Sequence, residues 1–236
     1  MPPVEASQAP AAPDCGVIEL RQYTLHPGRR EALIALFDRE FVETQEAVGI
    51  RVLGQFRDAD DAERFVWLRG YADMAARGRA LPAFYDGPVW AAHRDAANAT
   101  MVDSDDVLLL RPAWPGAALP ARARASGAVG AAPGVLRAVV VHLKALADDT
   151  VLAACCALPA REARLQACYV TEPAPNNFPR HPLRAGEPVL LALAGFAEPA
   201  QAEAWALAID EALQPWQARA TQHLRLLPTS RSALRP

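Results

Sequence analysis

The sequence predicts an α+β fold: two tandem β-α-β-β-α-β (ferredoxin-like) units whose sheets pack face to face as a pseudo-dimeric α/β barrel within one chain. Three observations point there. Strand-like segments separate two kinds of side chain by alternation, because residues two apart on a strand share a face. Glu19, Arg21 and Tyr23 lie on one face of Val17 to Leu25, and Phe65, Trp67, Arg69 and Tyr71 on one face of Arg64 to Tyr71, with Ile18, Leu20, Val66 and Leu68 opposite. The same order of elements recurs on either side of a Pro, Ala and Gly-rich stretch. Finally, a four-stranded sheet with both helices on one face leaves its other face bare, and two such units cover their bare faces by packing on each other.

Residues 1–15, rich in Pro and Ala, lack a basic start and an apolar run, so they read as a disordered arm and not a signal sequence. Val17 to Leu25 is the first strand, and Pro27-Gly28 is a turn into a helix near Arg29 to Ala47. There Leu33, Ile34, Phe37 and Phe41 recur at helical spacing while Arg30, Glu31, Asp38 and Arg39 form a wet face. Ile50 to Phe56 and Arg64 to Tyr71 form a hairpin across Asp58-Ala-Asp-Asp-Ala-Glu63. A helical stretch from Asp73 to Ala99, broken near Pro82 and Gly87-Pro88, precedes a last strand at Val107 to Arg111. The first unit is thus residues 16–112, and 113–134 read as a linker. The second unit, 135–230, has strands at Leu136 to Lys144, Arg164 to Thr171, Val189 to Phe196 and Gln222 to Leu227, with helices at Thr150 to Leu158 and Pro199 to Leu213.

The expected strand order puts the first and third strands side by side. Glu19, Arg21 and Tyr23 then neighbour Trp67, Arg69 and Tyr71, with opposite charges in favourable cross-strand pairs. Helices are expected over the apolar face. The polar-aromatic face is then expected to line the barrel lumen as a ligand pocket, since so many exposed aromatics would be costly. The apolar strand Val189-Leu-Leu-Ala-Leu-Ala194 implies that the second unit only closes this pocket.

Composition excludes several functions. A net charge of −3, from 24 Lys+Arg against 27 Asp+Glu, gives no reason to expect nucleic acid or an anionic membrane as partner. Every apolar run is interrupted well short of the roughly 20 residues a spanning helix needs. Cys15, Cys155, Cys156 and Cys168 form no CxxC pair and read as reduced thiols in a cytoplasmic protein.

The motifs Glu19-Leu-Arg21-Gln-Tyr23, Pro27-Gly28, Trp67-Leu-Arg69-Gly-Tyr71, Arg77 and Asp86-Gly-Pro-Val-Trp90 resemble the NIPSNAP family of the dimeric α/β-barrel group. Asn177-Phe-Pro-Arg-His-Pro182-Leu-Arg184-Ala-Gly186 is similar to a segment of its bacterial two-domain members. The resemblance implies the barrel fold. Related barrels include cofactor-free monooxygenases, isomerases, haem-handling proteins and stress-response binding proteins, so it fixes the fold better than the reaction.

Within this frame Glu19, Arg21 and Tyr23 are the candidate catalytic residues, and Trp67, Arg69, Tyr71, Arg77 and Trp90 the candidate substrate-binding residues. The arginines can clamp an anionic or carbonyl oxygen, with Glu19 as orienting group or base; the competing reading is a structural salt-bridge network. Trp90 and Phe84 can form a lid or pack as core. His142 and His223, on strands expected to be neighbours, are a weak metal or haem pair without a third ligand. His26, His93 and His181 read as loop or helix-surface residues. No Gly-rich phosphate loop, GxSxG elbow or metal-ligand spacing occurs, so no flavin, nicotinamide or metal cofactor is expected. The expected partner is a small organic molecule, either transformed by acid-base chemistry or only bound. An uncovered sheet or helix face leaves room for a homodimer, and closure within the chain permits a monomer.

Overall fold

The computed structural model describes residues 15–236 except 121–123, 125–126, 128–129, 131–132, 158–162 and 164. The expected arm at 1–14 and much of the expected linker lie outside the described residues. Strands β1 (Val17–Leu25), β2 (Arg51–Asp58), β3 (Arg64–Tyr71) and β4 (Met101–Pro112) alternate with helices α1 (Arg30–Leu36), α2 (Val42–Ala47), α3 (Met74–Tyr85) and α4 (Pro88–Asn98). The second half has β5 (Val135–His142), α5 (Asp149–Cys156), β6 (Leu165–Thr171), β7 (Val189–Phe196), α6 (Pro199–Leu213) and β8 (Gln222–Pro228). A π-helical turn at Phe37–Phe41 joins α1 to α2.

Local chemistry sets these boundaries. The Asp73 carboxylate accepts from Ala76 N at 2.6 Å and caps α3. Pro82 is tolerated inside α3, and the break falls at Asp86-Gly87, after which Pro88 starts α4. Glu198 and Gln201 form a capping box around Pro199 at the start of α6.

The eight strands form one closed, antiparallel barrel in the order β1-β3-β2-β8-β5-β7-β6-β4. β1 pairs with β3 as expected, in a register that sets Glu19 opposite Arg69 and Arg21 opposite Trp67. The two halves are stitched along both edges. Phe56 to Asp58 of β2 pair with Leu226 to Pro228 of β8, and Leu110 to Pro112 of β4 with Tyr169 to Thr171 of β6. Closure leaves no free sheet edge to recruit another strand.

The lumen is not where the alternation suggested. Ile18, Leu20, Val66, Leu68, Leu108 and Leu110 of the first half meet Ala138, Val140, Leu191, Leu193, Leu224 and Leu226 of the second in one apolar core that fills the barrel. Gln22 and Gln222 exchange two hydrogen bonds of 3.0 Å across it. The face carrying Tyr23, Trp67 and Tyr71 points outward and is covered by Phe37, Phe41, Leu81 and Phe84 from the helices. The physical reason lies in the partner sheet. Its lumen face is aliphatic, so only the aliphatic face of the first sheet can be buried against it without stranding charges.

The outer face of the second half is aliphatic as well. Val139, Val141, Leu190, Ala192 and Ala194 pack under Val151, Trp205, Ile209 and Leu213 of α5 and α6. Cys155 and Cys168 face each other there with sulfurs 3.7 Å apart. No helix among the described residues is long and apolar enough to cross a membrane. Because Leu68 is fully buried in the lumen, Leu68→Ala is expected to destabilise the protein by about 2–5 kcal/mol, measured by urea unfolding.

Candidate functional site

Glu19 on β1 is fully buried, and three arginines converge on its carboxylate. Arg21 Nη1 donates to Oε2 at 2.7 Å, Arg69 Nε to Oε2 at 2.7 Å and Arg77 Nε to Oε1 at 2.8 Å. The Tyr71 hydroxyl donates to Oε1 at 3.4 Å. Arg69 Nη2 also lies 2.7 Å from Oε2, at an angle that leaves this proton without a hydrogen bond. Strand alternation aligns Glu19 with Arg21, the β1–β3 register brings in Arg69, and α3 supplies Arg77 from above.

Three guanidiniums against one carboxylate leave an excess of two positive charges, since no other carboxylate among the described residues pairs with these arginines. Neutral groups solvate the excess. Arg21 Nε donates to the Tyr23 hydroxyl at 3.0 Å, and Arg69 Nη1 to the Tyr85 hydroxyl at 3.1 Å. The Arg21 guanidinium lies 5.5 Å from the Trp67 ring centre, and that of Arg69 lies 5.1 Å from it. Such cation–π contacts contribute roughly 0.5–2 kcal/mol each.

A cavity of about 70 Å³ adjoins this cluster, outside the barrel wall and beneath the helices. Arg21, Tyr23, Phe37, Phe41, Gln45 and Trp67 form its buried floor. Asn98, Met101, Ser104 and His181 rim an open mouth through which a ligand larger than the floor can extend. The π-helical turn supplies Phe37 and Phe41 to this lining; such turns are frequent at functional sites. Arg21 Nη2 has no acceptor among the described residues, and the buried Trp67 Nε1 has none either.

The second half reaches into this site through the 172–188 loop. Arg77 Nη1 donates to the amide oxygens of Asn176 at 3.1 Å and Asn177 at 2.6 Å. A Cβ at position 78 would sit 2.8 Å from Asn177 Nδ2, so Gly78 is what lets the loop lie this close to α3. Phe178 stacks on Tyr85 at 5.7 Å, and the His181 ring lies 4.0 Å from the Tyr85 ring. Arg180 pairs with Asp86 across the surface at 2.8 Å.

Electrostatics assign protonation states. Burial alone would raise the Glu19 carboxyl, but Arg69, Arg21 and Arg77 outweigh it and hold the group well below the usual carboxylate range. Burial pushes the Tyr23 and Tyr71 hydroxyls up, so both stay protonated. Burial lowers His181 to about 3, with Arg21 and Arg69 adding to the effect, and its imidazole is neutral at pH 7.

The family model for NIPSNAP matches residues 18–114. That half is a NIPSNAP domain. No curated protein matches the chain. Among solved structures, a protein from Lactobacillus acidophilus NCFM provisionally assigned as a monooxygenase is similar over 93% of this chain and 98% of its own, at 10% identity and TM-score 0.57. One from Fusobacterium nucleatum with the same provisional assignment is similar over 92% and 93%, at 7% identity and TM-score 0.58. An anthrone oxidase-like protein is similar over 93% of each chain, at 12% identity and TM-score 0.56. These likenesses establish the fold alone.

The NIPSNAP domain thus brings Glu19, Arg21, Tyr23, Trp67, Arg69, Tyr71 and Arg77 together, with Trp90 packed on Tyr85 at 5.0 Å at the edge of the cavity. Two expectations are corrected. The polar-aromatic face lines an outer cavity and not the lumen, and the second half supplies side chains instead of only closing the barrel. His142 and His223 do not meet: His142 Nδ1 lies 3.1 Å from Arg219 Nη2, and His223 Nε2 lies 2.9 Å from Asp210 Oδ2. Among the described residues no three metal-ligating side chains cluster. Sequence reasoning missed Tyr85 and His181. His181 sat within the 177–186 segment that the resemblance had singled out, but a lone loop histidine gave no hint of what faces it.

Removing one charge from this cluster has a calculable direction. Glu19→Gln leaves three buried arginines unpaired and is expected to cost about 3–5 kcal/mol in urea unfolding. The pH dependence follows from the same groups. Between pH 6.5 and about 3 the unfolded chain binds a proton that folded His181 refuses, so stability falls as pH falls through that window. Glu19 adds a further loss below its unfolded value of 4.5. His181→Gln is therefore expected to flatten the pH profile of the urea midpoint above pH 4.5 while the steeper fall below it remains.

Proposed function

We propose that this protein binds a small organic anion in the outer cavity of its NIPSNAP domain and transforms it without a cofactor, by monooxygenase- or isomerase-like chemistry. The observation that carries this reading is the excess of two buried positive charges beside a cavity to which Arg21 contributes. Buried charge is costly without a counter-charge, and an anion in the cavity supplies one. Arg21 and the Tyr23 hydroxyl would hold the anionic oxygen, with Trp67, Tyr85 and Trp90 against the organic part. Glu19, Arg69, Tyr71 and Arg77 act as positioning residues that fix Arg21. Charge-assisted hydrogen bonds to an enolate or phenolate stabilise that form, and such electron-rich anions react with dioxygen unaided. The monooxygenase assignments among the structural neighbours agree with this reading through the fold alone. In the same reading each half is a ferredoxin-like unit, since the strand orders β4-β1-β3-β2 and β6-β7-β5-β8 repeat one arrangement.

One observation favours a second reading, a binding or scaffold protein without catalysis: Glu19 is saturated by its arginines and held ionised, so it is no general base. Haem handling fits poorly with a cavity of about 70 Å³. The test is titration with benzoate and small carboxylates, followed by tryptophan fluorescence, since Trp67 and Trp90 line the cavity. Saturable quenching is expected, at least tenfold weaker in Arg21→Met. Absence of binding to the wild type, together with an Arg21→Met variant of clearly lower stability, would make the cluster purely structural.

A further inference from the structure

Resting on the anion-binding reading above, we infer that the ligand is a weak oxygen acid, a phenol or an enol, which enters neutral and gives its proton to His181. The cavity needs a proton acceptor that Glu19 cannot be. Among the described residues lining it, His181 is the side chain whose neutral form offers a basic nitrogen lone pair. Its ring is held against Tyr85 at 4.0 Å and Phe178 at 5.3 Å, and its ring nitrogens have no hydrogen-bond partner among the described residues. The charged and titratable groups facing it are Arg21 from β1, Arg69 from β3, Tyr85 from α3, Arg180 from its own loop and, more remotely, Glu19. Burial first and then those cations keep the free imidazole neutral, so it takes a proton only once an oxyanion in the cavity offsets the cations.

The step balances without an oxidant or reductant. The ligand O–H bond breaks and its electron pair stays on oxygen; the proton forms an N–H bond on the imidazole. The oxyanion then faces Arg21 and Tyr23, and its charge supplies the counter-charge that the imidazolium, disfavoured by burial and by the arginines, lacked in the empty site. A neutral acid crosses the mouth with a smaller desolvation cost than its anion would, and the site exchanges no proton with solvent. Coupling between the halves follows, because the acceptor arrives on the 172–188 loop of the second half while the anion holder sits on β1.

The experiment uses 4-nitrophenol, whose phenolate absorbs in the visible, at a pH where it is mostly protonated in water. With wild-type protein the phenolate band should appear on mixing and saturate, with no proton released into weakly buffered solution. ¹⁵N-histidine NMR should show one imidazole converting to imidazolium. In His181→Gln any band should form only with release of one proton per phenolate, falling tenfold for each unit the pH is lowered. A wild-type band accompanied by proton release, or an unchanged imidazole spectrum, would overturn the role of His181. So would binding of benzoate with no nitrophenolate band, which leaves the anion cavity itself intact. Failure of both benzoate and nitrophenol to bind would instead sink the anion-binding reading, and this inference with it.

Discussion

The site depends on one carboxylate shared by three buried arginines. Glu19 ties β1 to itself through Arg21, to β3 through Arg69 and to α3 through Arg77, all within 2.8 Å. Removing water from four charged groups is expensive, and their mutual attraction offsets it only when hydrogen bonding is nearly complete. Hence the ring of neutral acceptors and aromatic faces: Tyr23, Tyr85, Gln45, Asn176 and Asn177 accept further guanidinium protons, while Nη2 of Arg69 and of Arg77 has no acceptor among the described residues, and Trp67 lies against both Arg21 and Arg69. This constraint also fixes the 172–188 loop, whose two asparagines are needed because Arg77 spends only one edge on Glu19.

The closed barrel divides labour between its halves. Both contribute aliphatic side chains to the lumen, and neither leaves a sheet edge open. On the outer faces they differ. The second sheet presents Val139, Val141, Leu190 and Ala192 to its helices and forms an ordinary core, whereas the first presents Glu19, Arg21, Trp67 and Arg69. One architecture thus carries a single polar site, and the other half lends a loop to it.

Much of this was legible in the residues. Alternation in Glu19-Leu-Arg21-Gln-Tyr23 and Trp67-Leu-Arg69-Gly-Tyr71 located the site strands, the tandem order of elements gave the strand pairing, and Arg77, singled out with the family motifs, meets the same cluster at Glu19. Alternation separates two faces but cannot say which one a helix covers. That choice is made by the partner surface: Leu191, Leu193, Leu224 and Leu226 are 165 or more residues away from Glu19 and admit only an aliphatic face. A signal was present in the helices, where Phe37, Phe41, Phe84 and Trp90 match a polar-aromatic sheet better than an aliphatic one. The contribution of His181 was not legible, because a loop's destination depends on tertiary contacts such as Phe178 on Tyr85 and the space left by Gly78.

The central claim is that the excess buried positive charge is matched by an anion in the outer cavity. The most direct measurement is anomalous diffraction from crystals of the full chain soaked in bromide. An anomalous peak within hydrogen-bonding distance of Arg21 Nη2, between Tyr23 and Trp67, is the predicted result. A well-ordered cavity holding only water there, in crystals that bind bromide elsewhere, would contradict it.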